Sequence, residues 1–380
     1  MKSLNVKYKI NFKLLISILV VLGVGLLALY SVSFESVGQN NFSRQLIFVG
    51  IAILVLIFIS NINYGLWEVY AKYVYLFGLF MLIVVLLFGE KQHGTFGWLK
   101  IYSYHIQPVE IMKIGLILIL AKYFFKVNKN DRRLKHVVIT GILTFVPFAL
   151  TLMQPDLGSA SVLAAIWFIM LINWGIKKRH LVMLVSLTIM LSILGWFFFL
   201  SDRQKNLITV ALDPQRDPAG VGYHVIQSIT AIGSGKFFGK GLGHGSQSQL
   251  HFLPESHTDF IFAVIGEELG FVGVLVLMAG FLFIFYELFK IALNSADNFG
   301  RYIVEGVMAV FVIQLIVNIG MNVGMFPVIG LPLPFVSYGG SALIVEFFLI
   351  GIVFSIHSAS IKSKSRNMGH ILSDGQYDLD

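Results

Sequence analysis

Residues Leu253–Gly270 read LPESHTDFIFAVIGEELG and set Glu255, His257, Asp259, Glu267 and Glu268 around the start of a long apolar run. Carboxylates and imidazoles at such spacing are the groups of proton transfer and of hard-cation binding. An ionisable side chain inside a membrane segment is expensive, which makes each of these a candidate functional position. His251, Glu255, His257 and Asp259 are metal ligands by residue type, yet their spacing matches no zinc signature.

Three further stretches carry polar groups at membrane depth. In Gln107-Pro108-Val109-Glu110-Ile111-Met112-Lys113, Glu110 and Lys113 stand three apart and share a helix face, and Pro108 suits a first turn. Their pairing has a structural reading as good as a functional one. In Gln154-Pro155-Asp156-Leu157-Gly158-Ser159, Asp156 sits at a helix break and is placed to cap the next helix; the functional alternative is a carboxylate lining an outward cavity. In Gly330–Ser341, two prolines and paired glycines forbid a simple helix, and a tight re-entrant turn is expected there; Ser337 offers a hydroxyl to a ligand, and packing alone explains the segment as well. Lys113 is the best intramembrane cation for the deeper carboxylates, so a Lys113–Glu268 contact is expected. Gly233–Gly241 resembles a phosphate-binding loop but has five intervening residues instead of four, and Gly241 stands where Ser or Thr would hold magnesium.

The elements that must position these residues are membrane helices. The chain is 380 residues, 57% hydrophobic and 13% charged, about half the charged share of a soluble domain. Its net charge of +8 sits in short clusters between apolar runs, the pattern of a positive-inside bias and not of nucleic-acid binding. With no cysteine, disulfides and thiol chemistry are excluded. A span needs about 20 apolar residues, and about ten candidates lie near 14–33, 45–61, 71–89, 109–125, 137–153, 160–174, 181–200, 259–285, 302–322 and 342–358. The first follows Lys2, Lys7, Lys9 and Lys13 and reads as a retained helix. With the N-terminus inside, the basic clusters Lys126–Lys135, Lys177-Lys178-Arg179 and Lys362–Arg366 all fall on the cytoplasmic side. The expected architecture is therefore all-α and polytopic: one membrane domain over 1–358, an extracellular loop at 201–258 and a short disordered cytoplasmic tail at 359–380. Asp259 falls at the outer mouth of the eighth span, and Glu267 and Glu268 lie about 12–14 Å farther along it.

QPVEIMK at 107–113, QPDLGSA at 154–160, the long stretch from Gly222 to Gly273, and GLPLPFVSYGGSAL at 330–343 together resemble the SEDS family (shape, elongation, division and sporulation). GSQSQL followed by LPE and HTDF is closer to its elongation branch than to its division branch. The chain departs from the family at Val109, often Ser, and at Gly97, where a basic residue usually precedes the tryptophan matched by Trp98.

The resemblance implies a peptidoglycan glycosyltransferase that polymerises lipid II at the outer face of the bacterial cytoplasmic membrane, with both termini inside. It also implies a class B penicillin-binding protein as partner, an undecaprenyl-linked glycan as product, and Asp259 as the essential carboxylate. Asp259 would act as general base, or would instead coordinate a divalent cation; no cofactor is otherwise implied. Arg216, Lys236, Lys240 and Lys113 are candidates to meet the pyrophosphate, with His257 and Ser337 as further substrate contacts. Glu110, Asp156, Glu255 and Glu268 would support them. The competing readings are a lipid-precursor flippase, which wants polar residues near the midplane, and a scaffold that only activates its partner.

Overall fold

The computed structural model describes residues 10–33, 41–92, 95–101, 104–127, 131–198, 200–218, 220–250, 252–253 and 255–374. It is all-α and polytopic. Among the described residues nine helices are long and apolar enough to span a bilayer: α1 (Phe12–Ser33), α2 (Asn41–Ser60), α3 (Gly65–Phe88), α5 (Leu134–Met153), α6 (Leu157–Trp174), α7 (Lys178–Phe198), α12 (Gly270–Leu293), α13 (Asn298–Asn322) and α14 (Gly340–Asp374). The tenth expected span is α4 (Pro108–Lys126), which carries Glu110, Lys113, Lys122 and Lys126 yet buries 13 of its 19 residues. Glu110 and Lys113 are tolerable within it because they pair and because α3, α5, α6, α13 and α14 surround the helix. Pro108 occupies the first helical turn, as its missing N–H allows.

The core lies between α4, α6, α13 and α14, with α1 against α12 and α2 against α14. Outward-facing Leu, Ile, Val and Phe side chains on α2, α3 and α12 remain exposed, as they must where lipid tails are the solvent. Helix α7 is the extreme case: its one buried side chain is His180. Helix α14 runs on to Asp374, so the segment from Ala359, expected as a disordered end, is helical to that point, beyond the candidate span Gly340–Ser363.

Two features depart from a plain bundle. Strands β1 (Glu90–Gln92), β2 (Thr95–Ile101) and β3 (Tyr104–Ile106) form an antiparallel sheet between α3 and α4, pairing Glu90 with Trp98 and Lys100 with His105. Phe96 N–H donates to Gln154 O at 3.2 Å and Ser341 Oγ to His105 O at 3.1 Å, tying the sheet to the α5–α6 turn and to α14. The eighth span, expected as one helix over 259–285, is two: α11 (Ile261–Glu268) and α12, broken at Leu269 and at Gly270, whose φ is +64°. A break in lipid frees main-chain groups that must be paired within the protein. The segment 236–241 supplies the pairs. Lys240 N and Gly241 N donate to Glu267 O and Glu268 O, each at 3.0 Å, and Phe271 N and Val272 N donate to Lys236 O and Phe237 O at 3.0 and 3.1 Å. A β-carbon at Gly270 would lie 2.2 Å from Gly239 N, so this approach needs glycine.

The remaining elements of the 201–258 loop are α8 (Asp202–Leu212), a 3₁₀ turn at Pro214–Arg216, α9 (Val221–Ser234) and α10 (Ser246–Gln249). Ser201 and Gln204 cap α8 reciprocally. Helix α9 packs against α11 and α13, which brings this loop over the end of the bundle where Asp259 stands.

Candidate active site

Asp259 lies two residues before α11, in a run of turns that no helix holds. The turn is fixed from within by Glu255, whose main-chain oxygen accepts from Thr258 N and Phe260 N at 3.1 and 3.3 Å. Glu255 takes φ +51°, an unfavourable left-handed conformation for a side chain of its size. The turn is fixed from without by its carbonyls. His257 O accepts from Tyr338 N at 2.9 Å, Thr258 O from Ser337 Oγ at 2.7 Å, and Asp259 O from Asn322 Nδ2 at 2.9 Å and Asn318 Nδ2 at 3.2 Å. Three successive carbonyls thus point into the protein. The partly exposed Asp259 carboxylate lies beside Gly330, whose β-carbon position is 3.5 Å from Oδ2.

The turn between α13 and α14 behaves as a re-entrant plug. Asn318 Nδ2 donates to Leu331 O at 2.8 Å, Leu333 N donates to Ser337 Oγ at 2.8 Å, and Gln45 of α2 accepts from Gly339 N and donates to Ser337 O, both at 3.3 Å. The Ser337 hydroxyl therefore spends its one proton on Thr258 O. His257 packs edge-on to Tyr338, with ring centroids 5.8 Å apart, and its Nε2 is 4.0 Å from Glu255 Oε2.

The plug joins the Asp259 turn to a buried ionic cluster. Phe335 N donates to Glu346 Oε2 at 2.8 Å, and Glu346 lies within electrostatic range of Glu110 and Lys113. Lys113 Nζ meets Glu110 at 2.7 Å, both side chains almost wholly buried. This corrects the expected Lys113–Glu268 contact: the partner three residues away on the same helix face needs no distant docking. Asp156 caps α6, accepting from Ser159 N at 2.9 Å, and takes Gln107 Nε2 at 3.2 Å. Gly97 stands over it, with a β-carbon position 3.8 Å from Asp156 Oδ2.

Glu268 finds its partners elsewhere and through Oε1 alone, its buried Oε2 having no hydrogen-bond partner among the described residues. It accepts from Ser248 Oγ at 3.1 Å and Gln249 Nε2 at 2.9 Å, and Gln249 also reaches Ser31 Oγ of α1 at 3.0 Å. Its neighbour Glu267 is fully buried and collects Lys240 Nζ at 2.7 Å, Gln247 N at 2.9 Å and Ser248 N at 3.0 Å. Lys240 also donates to Ser246 Oγ at 2.8 Å. Arg216 is exposed and pairs with Asp213 at 3.2 Å. Among the described residues no three His, Cys, Asp or Glu side chains stand together as a metal site; His251 lies outside the described residues.

Asn318, Asn322, Gln45, Glu346 and His224 also bear on the site and are not among the residues expected from the sequence. Asn318 and Asn322 had a signal: two carboxamides at i and i+4 inside an apolar helix. His224 of α9 packs its ring 6.4 Å from that of Phe260, and burial pushes its imidazole below the usual range while Asp217 and Glu255 pull it back.

Residues 12–362 match the FtsW/RodA/SpoVE family of cell cycle proteins. The peptidoglycan glycosyltransferase MrdB of Escherichia coli K12 is 38% identical over 354 residues, covering 93% of this chain and 94% of that one. Stage V sporulation protein E of Bacillus subtilis is 34% identical, covering 90% and 95%. Among solved structures, a chain from a peptidoglycan synthase complex aligns with TM-score 0.80 at 28% identity over 92% of this chain and 98% of that one. The rod shape determining protein RodA of Thermus thermophilus aligns with TM-score 0.71 at 28% identity, over 92% and 97%. The chain belongs to the FtsW/RodA/SpoVE cell cycle protein family.

Proposed function

We infer that this protein is a peptidoglycan glycosyltransferase that polymerises lipid II during cell elongation, with Asp259 as general base. The observation that carries the assignment of the base is the turn around Asp259: its main chain is held by α13 and the plug while its carboxylate stays partly exposed beside Gly330. A base works when its geometry is held before the substrate arrives. In the reaction, Asp259 takes the proton of the acceptor sugar hydroxyl, the hydroxyl oxygen bonds to the anomeric carbon of the donor, and the bond from that carbon to the lipid pyrophosphate breaks. Positive charge at the leaving pyrophosphate lowers the barrier. Lys240 has three N–H donors, of which Glu267 and Ser246 take two. The third is available to a phosphate oxygen. Exposed Arg216, and His257 beside Asp259, are further contacts to the headgroup, whereas Lys113 serves chiefly to neutralise Glu110. The basic clusters support a cytoplasmic-membrane location with both termini inside, so that this site faces outward. The likeness to a chain of a synthase complex that couples polymerisation to crosslinking supports a class B penicillin-binding protein as partner.

The test is lipid II polymerisation by the purified protein with its transpeptidase partner, comparing wild type with Asp259→Ala, with and without chelator. Loss of glycan strands in the variant at normal expression is expected. Wild-type strand formation by Asp259→Ala would remove the base, and inhibition by chelator would make the carboxylate a cation ligand instead.

A further inference from the structure

We propose that Asn318 and Asn322 are positioning residues for Asp259, acting through its peptide unit; the proposal rests on Asp259 being the base. The first main-chain oxygen used by α11 is that of Phe260, which accepts from Ala263 N at 3.0 Å. The oxygen of Asp259 lies outside that ladder. A main-chain carbonyl this close to a buried helix start must find donors or bear the cost of desolvation. It accepts from two side-chain carboxamides of one helix, four residues and so about one turn apart on one face of α13.

Neither asparagine has an N–H to spare. Asn322 Nδ2 gives one hydrogen to Asp259 O and the other to Asn318 O at 2.9 Å, and Oδ1 accepts from Ala263 N at 3.2 Å and is 3.3 Å from Ser228 Oγ. Asn318 Nδ2 gives its two hydrogens to Asp259 O and to Leu331 O at 2.8 Å. Both side chains are fully buried. The orientation of the Asn322 amide follows from its surroundings: turned over, it would face Asp259 O with an oxygen and Ala263 N–H with an N–H. One side chain thus joins α13, the Asp259 turn, the first turn of α11 and, through Ser228, α9. Asn318 adds the plug that carries Gly330, against which the Asp259 carboxylate rests.

Two donors on both lone pairs of one carbonyl fix the tilt of its peptide plane. That tilt sets the Cα–Cβ direction at Asp259 and, with it, where the carboxylate meets the acceptor hydroxyl. A displacement near 1 Å in a reacting group costs on the order of 100-fold in rate. Neither asparagine needs to touch substrate for this.

The experiment compares wild type, Asp259→Ala, Asn318→Ala, Asn322→Ala and Asn322→Asp in the full chain with its partner. It reads kcat and KM for lipid II polymerisation, thermal unfolding, and binding of lipid II. Asn322→Asp keeps size and leaves at most one hydrogen, that of a protonated carboxyl, where two N–H groups served Asp259 O and Asn318 O. The expected result is a fall in kcat of about 10- to 100-fold for each asparagine variant, with KM and lipid II binding within about threefold. On the Asp259→Ala background, Asn322→Ala should take nothing further from the residual rate, because residues acting as one unit are non-additive. Folded asparagine variants that keep wild-type kcat while Asp259→Ala is dead overturn this inference alone. Full activity in Asp259→Ala overturns the base assignment beneath it. If Asn322→Ala lowers kcat only in proportion to the folded fraction, and Asn318→Ala does the same, the asparagines are structural and the inference fails.

Discussion

Lys240 Nζ sits 2.7 Å from Oε1 of Glu267, a carboxylate with no exposed surface, at the point where the eighth span breaks. The same two residues are joined a second time through the main chain, Lys240 N to Glu267 O. The loop is thereby fastened to the break by charge and by backbone together. Lys240→Met leaves the buried carboxylate with amide donors and no cation, which should cost about 3 kcal/mol. A lowered thermal midpoint in detergent checks it, and Glu267→Gln on top of Lys240→Met should restore part of the loss.

The Lys113–Glu110 pair predicts an asymmetry of the same kind within α4. Lys113→Met leaves buried Glu110 without its cation and within electrostatic range of Glu346, and should sharply reduce the yield of folded, membrane-inserted protein. Adding Glu110→Gln should recover most of that yield, since an apolar or neutral pair avoids the desolvation of an unpaired charge. Size-exclusion profiles of the solubilised variants measure both. A double variant no better than Lys113→Met would show that the lysine does more than neutralise.

Gly330 is predicted to matter for rate more than for folding. It takes φ +66°, and an alanine there would bring its β-carbon 3.5 Å from Asp259 Oδ2. The left-handed backbone costs about 1 kcal/mol for alanine, which a bundle of this size absorbs. The added methyl fills space that a reacting hydroxyl would use. Gly330→Ala should therefore melt within a few degrees of wild type and polymerise several-fold more slowly. Unchanged polymerisation would mean that substrate approaches Asp259 from another side.

His224 makes a pH prediction with a definite sign. Burial lowers its folded pKa below the ordinary value near 6.5. The unfolded chain therefore binds the proton more readily. The stability tied to neutral His224 is complete above about pH 6.5 and is lost as pH falls through the lowered folded value. Because the ring packs on Phe260, the loss falls on the docking of α9 against the Asp259 turn. Thermal midpoints at pH 7.5 and 5.5 should differ more for wild type than for His224→Gln, which carries no titrating ring.

The apolar runs announced the spans because bilayer thickness imposes a length that few other structures require. Asp156 at a Pro–Gly break was legible as a cap for a similar reason: local chemistry decides caps. The break at Leu269–Gly270 was not legible. A lone glycine in an apolar helix is ordinary, and only the distant segment at 236–241 makes its left-handed turn affordable. The Glu110–Lys113 pair was legible from its three-residue spacing, whereas the Lys113–Glu268 contact is not formed, because Ser246, Gln247, Ser248 and Gln249 reach Glu267 and Glu268 from a loop. Asn318 and Asn322 were overlooked because uncharged carboxamides do not stand out in a hydropathy reading. Their four-residue spacing was the available sign.

Helix α7 buries one side chain and turns the rest of its length outward. Its residues answer to the bilayer and hardly at all to the protein. Exchanges among Leu, Ile, Val, Met and Phe along it should pass almost unnoticed, whereas the same exchanges on α13, buried along most of its length, should not. Between these two helices the chain holds both extremes of mutational tolerance, one span written loosely by solvent and one written closely by its neighbours.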